Sequence, residues 1–312
     1  MKQRPFGNTG MHVSEIGLGG WQLANPDWGI QDTAEALRIV EKSLEAGCNF
    51  FDTAPGYGGG RSEELLGLAL RPVREKVIIC TKFSHYGPDG TRDFDVENIR
   101  KELDGSLQRL GTDYIDLLLL HNPPLELMDG SHAPQYQELE RLKVIGKIRE
   151  YGVSLDWRRE LELVTETTKS CAAEVLFNAF HQEPLSAFRK AQEKGLGLIV
   201  KVPLDSGWLA GHYRADSRFE GVRSRWSPEV IARRGMLVQQ FAAMLPRGTS
   251  LAHAALQYCL AQPGVCTVIP GAKSVEQALD NFAAADKQLP DDVVQAIHTL
   301  WENELQADPL PW

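Results

Sequence analysis

The sequence predicts an α/β chain folded as a closed (β/α)8 TIM barrel, with an N-terminal β-hairpin and an additional C-terminal helix. Three observations carry this. Eight short apolar runs recur along the chain, mostly continuous rather than alternating, which marks strands covered on both faces, as in a parallel sheet. Amphipathic stretches lie between the runs. No low-complexity linker divides the 312 residues, so 1–312 reads as one domain, and eight strands are more than a doubly wound sheet usually carries.

The elements follow in order. "RPFGNTGMHVSEIG" turns at Asn8-Thr9-Gly10 between short segments and reads as a hairpin that plugs the barrel bottom. The barrel strands are expected at "EIGLGG" (15–20), "CNFFDTA" (48–54), "KVIICTK" (76–82), "YIDLLLLH" (114–121), "IREYGVS" (148–154), "EVLFNAF" (174–180), "GLIVKVP" (197–203) and "CTVIPGA" (266–272). Between them, 33–47 puts Ala36, Leu37, Val40 and Leu44 on one helical face and ends at a glycine, a C-cap signal. The stretch 96–111 gathers Ile99, Leu103, Leu107 and Leu110 and ends the same way; 135–146 and 184–195 follow the plan. A helix over 227–245 starts with Ser227 as N-cap and Pro228 behind it. Residues 205–227 form a long loop after the seventh strand, and 289–306 is the surplus C-terminal helix.

The formal charge is −9 without a Lys/Arg block, which argues against nucleic acid or an anionic membrane as partner. The N-terminus lacks the apolar stretch of a signal peptide, and the longest purely aliphatic run, Leu117 to Leu120, cannot span a bilayer. Cys48, Cys80, Cys171, Cys259 and Cys266 are odd in number and form no C-x-x-C pair, so they read as reduced core thiols of a cytoplasmic protein. Oligomeric state leaves no mark on the sequence.

In such a barrel, functional groups collect at the C-terminal strand ends. Strand 2 ends with Asp52, with Tyr57 in its glycine-rich loop; strand 3 ends with Lys82 and strand 4 with His121. Each alone reads more naturally as a cap, a packing ring, a solvated cation or a structural imidazole. Together they suit carbonyl reduction. A phenol carries a transferable proton at neutral pH, a neighbouring ammonium lowers its pKa, a carboxylate holds that ammonium, and a neutral imidazole can donate to the substrate oxygen. None of these groups supplies hydride, so a nicotinamide cofactor must.

The segments "FFDTAPGYGGG-SEELLG", "VIICTK", "DYIDLLLLH", "YGVS" and "VIPGAKSVEQALDN", in this order and spacing, resemble the aldo-keto reductase superfamily over nearly the whole chain. The resemblance implies a barrel that reduces aldehydes or ketones with NAD(P)H and reverses the reaction on alcohols. It implies Asp52, Tyr57, Lys82 and His121 as the catalytic tetrad, with Tyr57 the general acid in reduction. It implies cofactor contacts at Gly20, at Ser154 and Asn178 (nicotinamide carboxamide), at Leu204, Ser206 and Leu209 (pyrophosphate crossing), and at Gly271, Lys273, Gln277 and Asn281 (adenosine end). Trp21 and Trp208 are expected to wall the substrate pocket. Three positions depart from the pattern: Lys201 stands where an aromatic usually supports the nicotinamide, Gln277 where an arginine often grips a 2′-phosphate, and Asn178 where glutamine is usual. Lys273 could take the phosphate, so NADP(H) is expected, with NAD(H) the alternative.

Other chemistries fit less well. "GYGGGR" fails the Rossmann fingerprint at its last glycine, "PGAKS" lacks the G-K-[ST] of a Walker A motif, Tyr57 has Arg61 where a short-chain dehydrogenase needs lysine, and no metal-ligand spacing occurs among the histidines. His85, His181 and His212 read as structural or loop groups. A Schiff-base lyase using Lys82 or Lys201 explains the strand-end lysines but leaves Asp52, Tyr57 and His121 idle. A slow-turnover NADPH-binding sensor module, like the channel-associated relatives of the family, is the remaining alternative. Arg214, Arg218, Arg223 and Arg225 on the long loop suit an anionic ligand or plain solvation equally.

Overall fold

The computed structural model describes residues 1–25, 29–84, 92–131 and 133–311, apart from the side chains at 222 and 223. His85 and part of the loop 122–132 therefore lie outside the described residues.

The chain opens with the hairpin β1 (Gln3–Pro5) and β2 (His12–Ser14), paired antiparallel with Arg4 opposite Val13. Thr9 Oγ donates to Phe6 O at 2.6 Å and accepts from Met11 N, which ties the turn. Phe6, fully buried, meets Phe50 at a ring distance of 6.2 Å inside the barrel. With Val13 it joins Phe50, Ile78, Leu117, Leu119, Ala172 and Ile199 in one interior cluster, so the hairpin plugs the bottom.

Eight parallel strands follow, each bonded to the next: β3 (Leu18–Gly19), β4 (Phe50–Asp52), β5 (Ile78–Phe83), β6 (Ile115–His121), β7 (Ile148–Leu155), β8 (Ala172–Leu176), β9 (Gly197–Lys201) and β10 (Val265–Val268). Bridges from Ile16 to Val268 and Gly19 to Gly271, with Gly17 N–H donating to Val268 O at 2.9 Å, close the first strand onto the last. Alternate strand residues face the interior cluster and the outer layer of helices, which is why both faces read apolar.

The expected helices are present at Thr33–Glu45, Val96–Leu110, Pro134–Val144, Leu185–Glu193, Pro228–Met244 and Asp291–Glu304. Gly47, Gly111, Gly146 and Gly195 stop the first four with positive φ, and the Ser227 hydroxyl caps the fifth by accepting from Val230 N. The structure adds helices at Arg61–Leu70, Arg158–Thr167, Leu251–Leu260 and Val275–Ala283, beyond those the periodicity predicts. Leu251–Leu260 is buried along most of its length, so it shows no polar stripe to read.

One strand sits two residues earlier than the sequence suggests. β8 spans Ala172–Leu176 rather than 174–180, because Asn178 leaves the ladder to bridge His181. The shift makes Glu174 a mid-strand residue on the interior face rather than a strand start, and moves Asn178 past the strand.

Backbones approach closely at Gly152 in β7. A β-carbon there would lie 2.1 Å from the carbonyl oxygen of Ala172 on β8. Gly152→Ala is expected to force the two strands apart and cost about 1–3 kcal/mol. A fall in the thermal unfolding midpoint checks it; an unchanged midpoint would mean the strands give way without cost.

Candidate active site

The interior face changes character along every strand from β4 to β9. Phe50 is followed two residues on by Asp52, Cys80 by Lys82, Leu119 by His121, Gly152 by Ser154, Ala172 by Glu174 and Ile199 by Lys201. Strand period two carries each polar group to the same face as the apolar one below it. The barrel is therefore apolar at the bottom and polar at the C-terminal rim.

Backbone strain lies on the same rim. Among the described residues, the non-glycine residues with positive φ are Ser84, Asn122, Val202, Asp205 and Ser206, all just beyond β5, β6 or β9. For β-branched Val202 this conformation is a true outlier, and such strain collects at functional sites.

Asp52, Tyr57, Lys82 and His121 converge. Lys82 Nζ lies 2.5 Å from Asp52 Oδ2 and 3.0 Å from Thr53 O, and sits 5.5 Å from the Tyr57 ring centre. The His121 ring meets Tyr57 edge-on at 6.3 Å. Trp21, 43% exposed, stacks on Tyr57 at 6.1 Å with 25° between planes, which puts an open aromatic wall beside the phenol.

The loop carrying Tyr57 is anchored by residues the sequence reading passed over. Ser62 Oγ donates to Gly20 O at 2.9 Å and accepts from Thr53 Oγ, while Ser62 N donates to Tyr57 O. Buried Glu63 takes Thr81 Oγ at 2.6 Å and Arg109 Nε at 2.7 Å. Gly20 is needed at its place: a β-carbon there would lie 2.7 Å from both Asp52 O and Ser62 Oγ.

Sequence reasoning also missed Glu174. Its Oε2 lies 3.1 Å from Lys82 Nζ, so the ammonium is held by two carboxylates, all three groups being at most 4% exposed. Ser154 Oγ is 3.0 Å from both Glu174 Oε1 and Asn122 Oδ1 and accepts from Lys201 Nζ at 2.8 Å. Lys201 also donates to Asn122 Oδ1 at 2.8 Å and pairs with Asp156 at 2.9 Å. The Asp156 carboxyl, pushed up by burial, is held below its usual range by Lys201 and the Asn122 amide. Both rim lysines are thus ammonium ions gripped by acids, a poor state for a Schiff-base nucleophile.

Burial dominates the protonation of the set. It pushes Asp52 up to about 8, with the Glu174 charge adding to the rise and Lys82 opposing it. Glu174 ends below its usual range because Lys82, then Lys201, outweigh its own burial. Tyr57 is pushed above its usual value by burial, against the pull of Lys82. The expectation that Lys82 brings the phenol down towards neutrality is therefore corrected: the pull is present, but desolvation exceeds it and the hydroxyl stays protonated.

The remaining predicted residues are placed as follows. Gly271 bridges Gly19 beside the rim, Asn281 Nδ2 donates to Gly271 O at 3.4 Å, and Gln277 Oε1 accepts from Lys273 N at 2.8 Å. Lys273 is exposed, just before the helix Val275–Ala283 that Ser274 caps. Leu204 and Ser206 are half-buried, while Leu209 is fully buried in the core. Two of the predicted residues sit deeper than the sequence reading expects, and a third corrects it. Asn178 is fully buried, with its amide donating to Val202 O and accepting from Phe180 N. Ser154 is likewise fully buried, its hydroxyl accepting from Lys201 Nζ. Trp208, with no exposed surface, does not wall a pocket; it packs against Tyr213, Phe219 and Trp226, forming the interior of the long loop.

The sequence pattern of the aldo/keto reductase family matches residues 15–302. The chain belongs to the aldo-keto reductase family. It is an NAD(P)H-dependent oxidoreductase of that family, whose members act on small-molecule carbonyl compounds. An aldo-keto reductase from Bacillus halodurans, solved in a holo form, superimposes with a TM-score of 0.82 at 29% identity, covering 96% of each chain. The NADH-specific methylglyoxal reductase of Escherichia coli is 31% identical over 93% of this chain and 95% of its own length. The L-galactose dehydrogenase of Arabidopsis thaliana is 30% identical over 90% of this chain and 87% of its own. Among the described residues, no helix is long and apolar enough to cross a membrane.

Proposed function

We propose that this enzyme reduces an aldehyde or ketone with NADPH, and oxidises the alcohol in reverse, with Tyr57 as general acid and base. The observation that carries the reading is the buried Asp52–Lys82 pair set 5.5 Å behind a Tyr57 ring that faces Trp21 and His121. In reduction the Tyr57 hydroxyl donates its proton to the carbonyl oxygen as negative charge grows there. The phenolate left behind is stabilised by the Lys82 ammonium, which Asp52 holds charged. The His121 imidazole donates to the same oxygen, and Trp21 screens it from water. A reduced nicotinamide, when bound, supplies the hydride.

The residues present fit such a cofactor. Lys201, Ser154 and Asn122 would hold its ring end, and the strained backbone at Val202, Asp205 and Ser206 would suit the pyrophosphate crossing. Exposed Lys273, ahead of a helix N-terminus, suits a 2′-phosphate and favours NADPH. NADH is the alternative, since Gln277 spends its carbonyl on its own loop and one relative is named as NADH-specific. All five cysteines are free, which supports a reducing, cytoplasmic setting.

Absorbance loss at 340 nm, an NADPH signal, measured on a panel of aldehydes, ketones and sugars, tests the reading. Turnover with one class supports it. Cofactor binding without turnover on any would leave the sensor reading in its place.

A further inference from the structure

Two carboxylates on one buried ammonium are one more than charge balance needs. We propose that Glu174 is a positioning residue of the reaction centre: it grips Lys82 from the β8 side opposite Asp52, and the two acids hold one exchangeable proton between them behind Tyr57. This rests on the carbonyl-reductase reading for its consequence, though not for its geometry.

The geometry is that of a closed charge set. Oxygens of Asp52 and Glu174 and the sulfur of Cys80 all lie within 4.8 Å of one another. By donor set that grouping could hold a cation, and the cation present is the Lys82 ammonium, at 2.5 Å from one acid and 3.1 Å from the other. The groups facing Glu174 are Asp52 from β4, Cys80 and Lys82 from β5, Ser154 from β7 and Lys201 from β9, with Tyr57 above Lys82. Lys201 also stabilises the Glu174 anion, but Asp156 pairs with it, so the two together add no net charge to the set. With both acids ionised, Asp52, Lys82 and Glu174 would carry a net negative charge in a dry site. One proton shared by the acids makes the set neutral, and burial favours that state. The proton sits on Asp52 in the main, because Glu174 is the better stabilised as an anion.

The consequence reaches Tyr57. The charges of Asp52 and Glu174 both raise its pKa, while Lys82 lowers it. While the acids keep their proton, Lys82 acts on the phenol with little opposition. Once they lose it, the added negative charge disfavours the phenolate that alcohol oxidation requires. Glu174 thereby sets the pH range over which the Lys82 pull is felt.

The test is carboxyl-carbon NMR on protein labelled at aspartate and glutamate side chains, with the Asp52 signal assigned by its loss in Asp52→Asn. In the wild type, one carboxyl of the pair titrates near 8 rather than in the acid range. In Glu174→Gln the Asp52 titration moves down by about one pH unit or more, as loss of an adjacent like charge requires. In the same variant the rising limb of the oxidation rate against pH moves to lower pH with KM for the alcohol unchanged, and Glu174→Asp moves it back. A purely structural role would lower both rates without moving the limb. If both acids of the wild type titrate in the ordinary carboxyl range, or the Asp52 titration is the same in Glu174→Gln, the proposal falls. The wild-type titration decides even if the variant does not fold. The NMR arm also stands apart from turnover, so a protein that reduced no carbonyl would fail the functional reading and leave this one to its own result.

Discussion

Tyr57→Phe is expected to lose carbonyl reduction by about 10²–10⁴-fold and to keep its cofactor affinity. The substitution removes one oxygen. The ring stays in its stack with Trp21 and its edge contact with His121, so the loop and the pocket wall keep their shape. What disappears is a hydroxyl beside Trp21 and His121 that combines a donatable proton with a nearby ammonium to stabilise the resulting negative charge. His121 still donates a hydrogen bond, which leaves a residual rate. Because the proton moves in the transition state, the loss falls on kcat rather than on KM. Burial holds the phenol protonated, so reduction in the wild type does not fade until alkaline pH, whereas the variant has no such limb to lose. Steady-state rates on the best substrate of the panel, with cofactor affinity from fluorescence titration, check this. A variant turning over like the wild type would remove Tyr57 from its role.

The parts of this site that the sequence made legible share one property: each lies at the end of an apolar run whose neighbours are unambiguous. Asp52, Lys82 and His121 follow Phe50, Cys80 and Leu119 at strand period, so their face and depth were readable from local pattern alone. Glu174 obeys the same rule after Ala172, yet the apolar run reads as 174–180, which makes the acid a strand start. Two residues of offset convert an interior carboxylate into an apparent entry cap. Trp208 failed for a different reason. An aromatic residue in a long loop can face a ligand or fill the loop, and only the meeting with Tyr213, Phe219 and Trp226 decides. The same non-local logic hides the Lys201 partners, which come from just beyond β6 and just beyond β7, and the balance of burial against charge at Tyr57.

Lys82→Met should unfold more easily than any surface change in this chain, by about 3–5 kcal/mol near neutral pH, because it strands buried acids without their counter-ion. Methionine fills the space of the lysine stem, so packing is kept and the effect is electrostatic. Asp52 and Glu174, 4% and 2% exposed at their side chains, then face each other with no cation between them. Both take up protons in the folded state and ionise when the chain unfolds. The sign of the pH dependence follows from this. A carboxyl whose folded pKa lies above its unfolded value binds more protons in the native state across the interval between them, so stability is greatest below the unfolded pKa and falls as pH rises through the folded one. The wild type has this slope through Asp52, from 3.8 up to about 8; the variant has it through Glu174 as well. Its deficit against the wild type is therefore smallest in mild acid and widens towards pH 8. Denaturant unfolding at pH 5 and pH 8 measures it directly. Adding Asp52→Asn and Glu174→Gln to Lys82→Met removes the buried charges altogether and should recover most of the lost stability with none of the activity. A deficit independent of pH, or undiminished in the triple variant, would mean that Lys82 supports the barrel through packing rather than as the ion that two acids share.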